Sequence, residues 1–123
     1  MSNEPTIKEL VEWIWKHKGT RVFRGITKEE LFFCVIHGIK EKALAYSTDE
    51  DKQLTGVICA VAKHDKKELF VWNILATQKY YLARLALTLH GMWPTYEIYA
   101  ERRGKIVKYN IPVIKNKFIQ QLQ

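Results

Sequence analysis

The sequence predicts an α/β (α+β) domain: a mixed, mainly antiparallel sheet with helices on both faces, in the order α-α-β-β-β-α-β-β-α. Three observations lead there. Apolar residues recur at helical spacing near both ends of the chain and in one long central segment. Between them the period switches to strand-like runs separated by polar turns. Those runs are apolar on both faces, which a sheet tolerates only when both sides are covered.

Pro5 stands where a helix accepts proline, in its first turn, and Ile7, Leu10, Val11 and Ile14 follow at helical spacing. Trp13 and Trp15 widen that face, and Gly19 is the expected stop. A basic connector over 16–25 leads to Thr27-Lys28-Glu29-Glu30, a capping box in which the Thr27 hydroxyl accepts the Glu30 amide and the Glu30 carboxylate returns to the Thr27 amide. Residues 31–37 therefore read as helix despite their aromatic and β-branched content, with Gly38 as the stop. Strands follow at 43–47, 54–63 and 68–75, divided by the acidic turn Asp49-Glu50-Asp51 and the polar turn 64–67. Thr77 is placed to cap a helix over 78–90, closed by Gly91 and Pro94. Residues 96–101 alternate as a strand, Arg102-Arg103-Gly104 turn, and 105–109 run back. After Pro112, Val113, Ile114, Phe118 and Leu122 mark a terminal helix, so the chain reads as one domain over 1–123 with 112–123 as a helical tail.

The chain has 123 residues and is 47% hydrophobic and 27% charged, a composition that supports a packed core without staples and excludes wholesale disorder. No apolar run reaches the ~18 residues of a membrane span. The opening Met1-Ser2-Asn3-Glu4-Pro5 has neither a basic nor an apolar leader region, so no signal peptide is expected. Cys34 and Cys59 both sit in apolar runs and read as small hydrophobes in a reducing compartment, the cytoplasm by default. Twenty Lys and Arg against 13 Asp and Glu leave a net charge of +7, which suits anionic partners and also serves solubility. His17, His37, His64 and His90 are scattered, and no metal, nucleophile-elbow or phosphate-loop motif occurs.

At Leu69-Phe70-Val71-Trp72-Asn73-Ile74-Leu75-Ala76-Thr77 and the helix after it, the layout resembles the GNAT (N-acetyltransferase-like) superfamily. The resemblance covers most of the chain by topology, with little motif identity. It implies a strand that splays from its neighbour to admit acetyl-CoA or another acyl-CoA. The pantetheine would bond the backbone of Asn73, Ile74 and Leu75, and the pyrophosphate would meet the amides of Gln78, Lys79 and Tyr80 at the helix N-terminus. A more distant similarity runs to the toxin-activating lysine acyltransferases, on the Trp-rich first helix, the same strand and Trp93-Pro94. Compact GNAT-like chains of this kind also look similar to small bacteriophage products, which would place this one in a host cytoplasm. Two departures stand out. The segment Thr77-Gln78-Lys79-Tyr80-Tyr81 has no glycine, so bulky tyrosines would crowd a cofactor and weaken its binding. The toxin-activating group's histidine has only His17 near its place, and Trp72-Asn73 stand where its aspartate would be.

The resemblance makes Glu68, at the start of the central strand, a candidate base for the attacking amine substrate; beside Lys66 and Lys67 it also reads as a solvated turn carboxylate. Glu97 shares a strand face with Glu101 and is a second candidate, or a cross-strand partner for a lysine. Tyr109, Tyr99 and Tyr96 are candidate acids toward the leaving thiolate; Tyr109 fits best in chain order, and a buried tyrosine with a satisfied hydroxyl is the commoner reading. Asn73 either bonds a ligand or stabilises a bulge. The cluster Arg102, Arg103, Lys105 and Lys108, with Tyr99 and Tyr109 alongside, suits phosphate contact and base stacking. Two functions follow: an acyl-CoA-dependent N-acyltransferase with a degenerate phosphate loop, or a non-catalytic basic protein binding nucleic acid or an acidic surface of a host or virion protein.

Overall fold

The structure is a computed structural model that describes residues 4–18 and 26–122. Its elements are α1 (Ile7–His17), α2 (Lys28–Lys40), β1 (Leu44–Thr48), β2 (Leu54–Lys63), β3 (Glu68–Ala76), α3 (Lys79–Met92), β4 (Glu97–Arg102), β5 (Lys105–Lys108) and α4 (Ile111–Gln121). The strands form one sheet in the order β1-β2-β3-β4-β5, every neighbouring pair antiparallel except β3 and β4, which run parallel across the α3 connection. Fold class and element order agree with the sequence expectation.

Both faces are covered because the strands alternate between two apolar clusters. Val57 and Cys59 of β2 pack with Leu10, Val11 and Ile14 of α1 and Leu31 and Val35 of α2. On the other face, Ile58 and Ala60 meet Leu69, Val71 and Ile98 of the sheet and Leu85 and Leu89 of α3. Helix α4 packs on α3, its Phe118 stacking on Tyr80 with ring centroids 5.4 Å apart. Among the described residues no helix is long and apolar enough to cross a membrane.

Helix boundaries differ from the sequence reading for local reasons. Thr6 caps α1 with Glu9 in a capping box, so Pro5 precedes the cap and lies outside the first turn. The expected stop at Gly19, and most of the basic connector, fall outside the described residues. The Thr27/Glu30 box is present as expected. Gly38 does not end α2. It is buried inside the helix, where a Cβ would lie 3.4 Å from Leu44 Cβ, so the glycine serves close packing on β1. The helix ends instead in a Schellman motif: the Lys42 amide bonds Ile39 O, the Ala43 amide bonds Gly38 O, and Lys42 takes the left-handed position at φ 58°. Gly91 likewise lies within α3, which runs on to Met92 with Trp93 as its cap.

At Gly56 α3 lies close against the sheet. A Cβ there would stand 2.8 Å from Leu85 Cδ1, 2.9 Å from Ser47 Oγ and 3.1 Å from the Leu75 carbonyl oxygen. Ser47 Oγ is also bonded to Thr55 Oγ1 at 2.9 Å, which limits its retreat. Gly56→Ala should therefore destabilise the fold by about 1–3 kcal/mol, as overpacked cores do. The check is a lower denaturant midpoint at unchanged slope; an unchanged midpoint would mean that helix and sheet separate freely at this point.

Candidate ligand-binding fork

The site begins with one extra residue in β3. Cys59 pairs with Asn73 and the next residue, Ala60, pairs with Val71, so Trp72 is inserted opposite a single step of β2. Its effect on side chains is direct. Leu69 and Val71 face the α3 cluster, whereas beyond the bulge it is Ile74 and Ala76 that face it, with Trp72 and Leu75 turned to the α1/α2 cluster. The side chain of Asn73 is buried on that second face, its Nδ2 donating to Val57 O at 3.4 Å and lying 3.8 Å from Cys59 Sγ. Burial pushes the Cys59 thiol up to about 12. Asn73 Oδ1 has no partner among the described residues. An unsatisfied buried acceptor costs about 1–3 kcal/mol, so Asn73 stands at the bulge at some expense to stability.

The same bulge ends the pairing with β4. The parallel register runs from Glu68↔Glu97 to Val71↔Ala100 and stops there. Past that point β3 is paired with β2 alone among the described residues. The ladder fixes which groups are left over. The Thr77 amide bonds Thr55 O at 2.9 Å, so residues 73, 75 and 77 direct their main chain at β2, and Ile74 and Ala76 direct theirs away from it. Of the expected trio Asn73, Ile74 and Leu75, only Ile74 offers main-chain groups to the gap; Ala76, which the sequence reading passed over, is the second.

The open edge leads straight into the N-terminus of α3. Thr77, expected as its cap, spends its amide on the β2 ladder, and the cap position falls to Gln78, which makes no side-chain capping bond. The first turn carries no acid, and Thr77, Gln78 and Lys79 are all exposed. The end of α3 thus keeps its orphan amides and its positive dipole. Of the two tyrosines expected to crowd this end, Tyr80 is stacked on Phe118 of α4 and Tyr81 packs edge-on to Tyr80 at 5.2 Å.

The candidate acids and bases are arranged differently from the expectation. Glu68 and Glu97 are register partners. Glu97 is already engaged, its Oε2 accepting from the Tyr99 hydroxyl at 2.7 Å and its Oε1 from Lys108 Nζ at 2.9 Å. These contacts, Tyr99 first and Lys108 second, hold its carboxyl below the usual range, and the bond to Glu97 pushes the Tyr99 phenol up to about 12. A carboxylate so held is a weak base, and Glu97 is thereby the cross-strand partner of a lysine. Glu68 stands three residues before Val71, which at strand rise is about 10 Å from the fork. Glu101 stands one residue past the last β3–β4 pair, on the Tyr99 face. Tyr109 does not join this group. It packs against the α3-side cluster, and burial raises its phenol, opposed by Arg102. Tyr96 is bonded to His64 Nδ1 at 2.7 Å, beside Trp93. His17 stacks on Trp13 at 4.1 Å, its Nδ1–H donating to Trp13 O at 2.8 Å.

A separate groove of about 610 Å³ lies between the end of α3, the start of β4 and the start of α4, lined by His90, Tyr96, Glu97, Tyr109 and Pro112 among others. Among the described residues no group of three or more His, Cys, Asp or Glu is placed to hold a metal. Arg102, Arg103, Lys105 and Lys108 are all exposed around a two-residue turn, with Arg103 at φ 54° and Gly104 at φ 79°. Comparison with family models, curated proteins and solved structures finds no match.

The Glu97 cluster is testable by titration. Because its folded pKa is depressed, Glu97 contributes stability above its unfolded pKa and loses it as pH falls through the folded value. Carboxyl-detected NMR should place Glu97 below the other exposed glutamates, and Tyr99→Phe should move it upward. A Glu97 that titrates with the rest in both proteins would contradict the geometry.

Proposed function

We propose that the chain is a GNAT-like acyl-CoA-dependent N-acyltransferase that takes its thioester in the fork between β3 and β4. The observation that supports this is the union of two unsatisfied backbone features: the outward main chain of Ile74 and Ala76 and the uncapped, acid-free N-terminus of α3. An acyl-CoA has amides along its pantetheine arm and a pyrophosphate beyond them, so one extended ligand fits both. The amides opening α3 at Gln78, Lys79 and Tyr80, with the Lys79 ammonium, serve the phosphates. Ile74 and Ala76 bond the arm as a missing strand would.

The residues bordering the fork then have separate tasks. Glu101 accepts the proton of an incoming amine as its nitrogen bonds the acyl carbon and the carbon–sulfur bond breaks. Glu68 is too distant for direct transfer and acts only through water. Tyr99, tied to Glu97, holds that face of the sheet in place, and its raised pKa makes it a poor proton donor to the thiolate.

Acetyl-CoA should raise the melting temperature of the protein, since a ligand of the folded state at a hundredfold excess over Kd adds about 2.7 kcal/mol. Lys79→Glu should shrink the rise, and Glu101→Gln should keep binding while slowing thiol release to an amine acceptor. No shift at millimolar acetyl-CoA would overturn the reading. A shift without thiol release would leave cofactor binding and remove catalysis.

A further inference from the structure

The outer side of the sheet carries a second unsatisfied edge, independent of the fork. Strand β5 pairs with β4 alone among the described residues, and all four of its residues are exposed. The two-residue turn makes Arg102 and Lys105 the first hydrogen-bonded pair, and the register alternates from there: Ala100 with Val107 is bonded, while Glu101 with Ile106 and Tyr99 with Lys108 are not. The Tyr109 amide bonding Ile98 O at 2.8 Å continues the same alternation. Ile106 and Lys108 therefore direct their amides and carbonyls away from the sheet.

The side chains on this edge are mixed. Ile106 is 62% and Val107 42% exposed, one on each face. Lysines blunt an edge against unwanted pairing, but β-branched residues facing water on both sides promote it. Arg102, Arg103 and Lys105 make no ion pair among the described residues, where the bridges are Lys28–Glu12 and Lys108–Glu97.

We propose that β5 is a docking edge for an extended acidic segment of a partner protein, which adds to the sheet as a further strand. Its main chain bonds Ile106 and Lys108, its apolar residues cover Ile106 on one face, and its carboxylates meet Lys105 and Arg102 on the other face and Arg103 at the turn. The structure favours this occupant over two others. Single-stranded nucleic acid is held by exposed rings on which bases stack, and the two tyrosines beside the hairpin are committed, Tyr99 to Glu97 and Tyr109 to the α3-side cluster. A second copy of this chain would set Lys105, Lys108 and two arginine turns against their own kind, and like charges oppose that pairing.

The test uses the whole chain, labelled for NMR, and an acetylated, amidated peptide alternating Glu with Val. Its Lys-Val counterpart, a version N-methylated at alternate residues, and oligothymidylate serve as comparison probes. The acidic peptide should slow exchange of the Ile106 and Lys108 amides by at least about tenfold, leaving those of Lys105 and Val107 as protected as before. The Lys-Val and N-methylated peptides should not do so. Ile106→Pro removes one outward amide that β4 does not use, and should abolish the protection at Lys108 while the Tyr99 and Ala100 resonances stay in place. Lys105→Glu, a surface change, should weaken the acidic peptide and favour its lysine counterpart. Absence of binding at millimolar peptide, equal binding by the N-methylated peptide, or oligothymidylate binding at β5 in place of the peptide would each overturn the proposal.

Discussion

A single inserted residue in β3 sets most of what is distinctive in this molecule. With Trp72 placed opposite the Cys59–Ala60 step, β3 changes which side chains face which helix layer halfway along its length. Below the insertion the strand serves the α3 cluster through Leu69 and Val71; above it, through Ile74 and Ala76. The change of phase coincides with the end of the β3–β4 register at Val71↔Ala100. The sheet is therefore closed at the end bearing Glu68 and Glu97 and open at the end that leads into α3. Asn73 lies at that junction, buried with one oxygen unpartnered among the described residues.

Charge is distributed to match this opening. At the closed end, acids are neutralised in place: Glu97 by Tyr99 and Lys108, with Glu68 as its register partner. Around the open end, the first turn of α3 carries Lys79 and no acid. Unsatisfied amides, a positive helix end and an exposed lysine together favour a ligand with phosphate at one end. On the proposed acyl-transfer reading the catalytic demand is lighter than the binding demand, since a thioester is already activated toward amines and chiefly requires position and a proton acceptor.

Much of the fold was legible because its signals are local. The Thr27/Glu30 capping box outweighed a strand-like run of aromatics, and the β2 and β3 runs, apolar on both faces, required a central place in the sheet. Glycine misled twice, at Gly38 and Gly91, because a glycine chosen for close approach or simply tolerated in a helix has the same letter as one that ends it. Lys42, Lys52, Lys67 and Arg103 take left-handed turn positions where glycine or asparagine is the usual signal. The site was legible in outline only. Strand and helix end were read from order along the chain and the gap was expected from the GNAT resemblance, but Ile74 and Ala76 as the outward pair depend on the bulge, which Asn73 signalled only as one of two readings. Tyr109 and Tyr99 take opposite faces of the sheet for a related reason: which face a residue takes after a short strand depends on pairing phase, and chain order does not carry it.

The central claim is that β3 has a bare main-chain edge beyond Val71, and amide hydrogen exchange along this strand in the free protein tests it most directly. Asn73 and Leu75, bonded to β2, should exchange at the slow rate of the sheet interior. Ile74 and Ala76, facing the gap, should exchange faster by orders of magnitude, giving an alternating pattern that ends where the β4 register begins. Uniformly slow exchange from residue 73 to 76 would contradict the account, because it would mean that another segment already fills the fork.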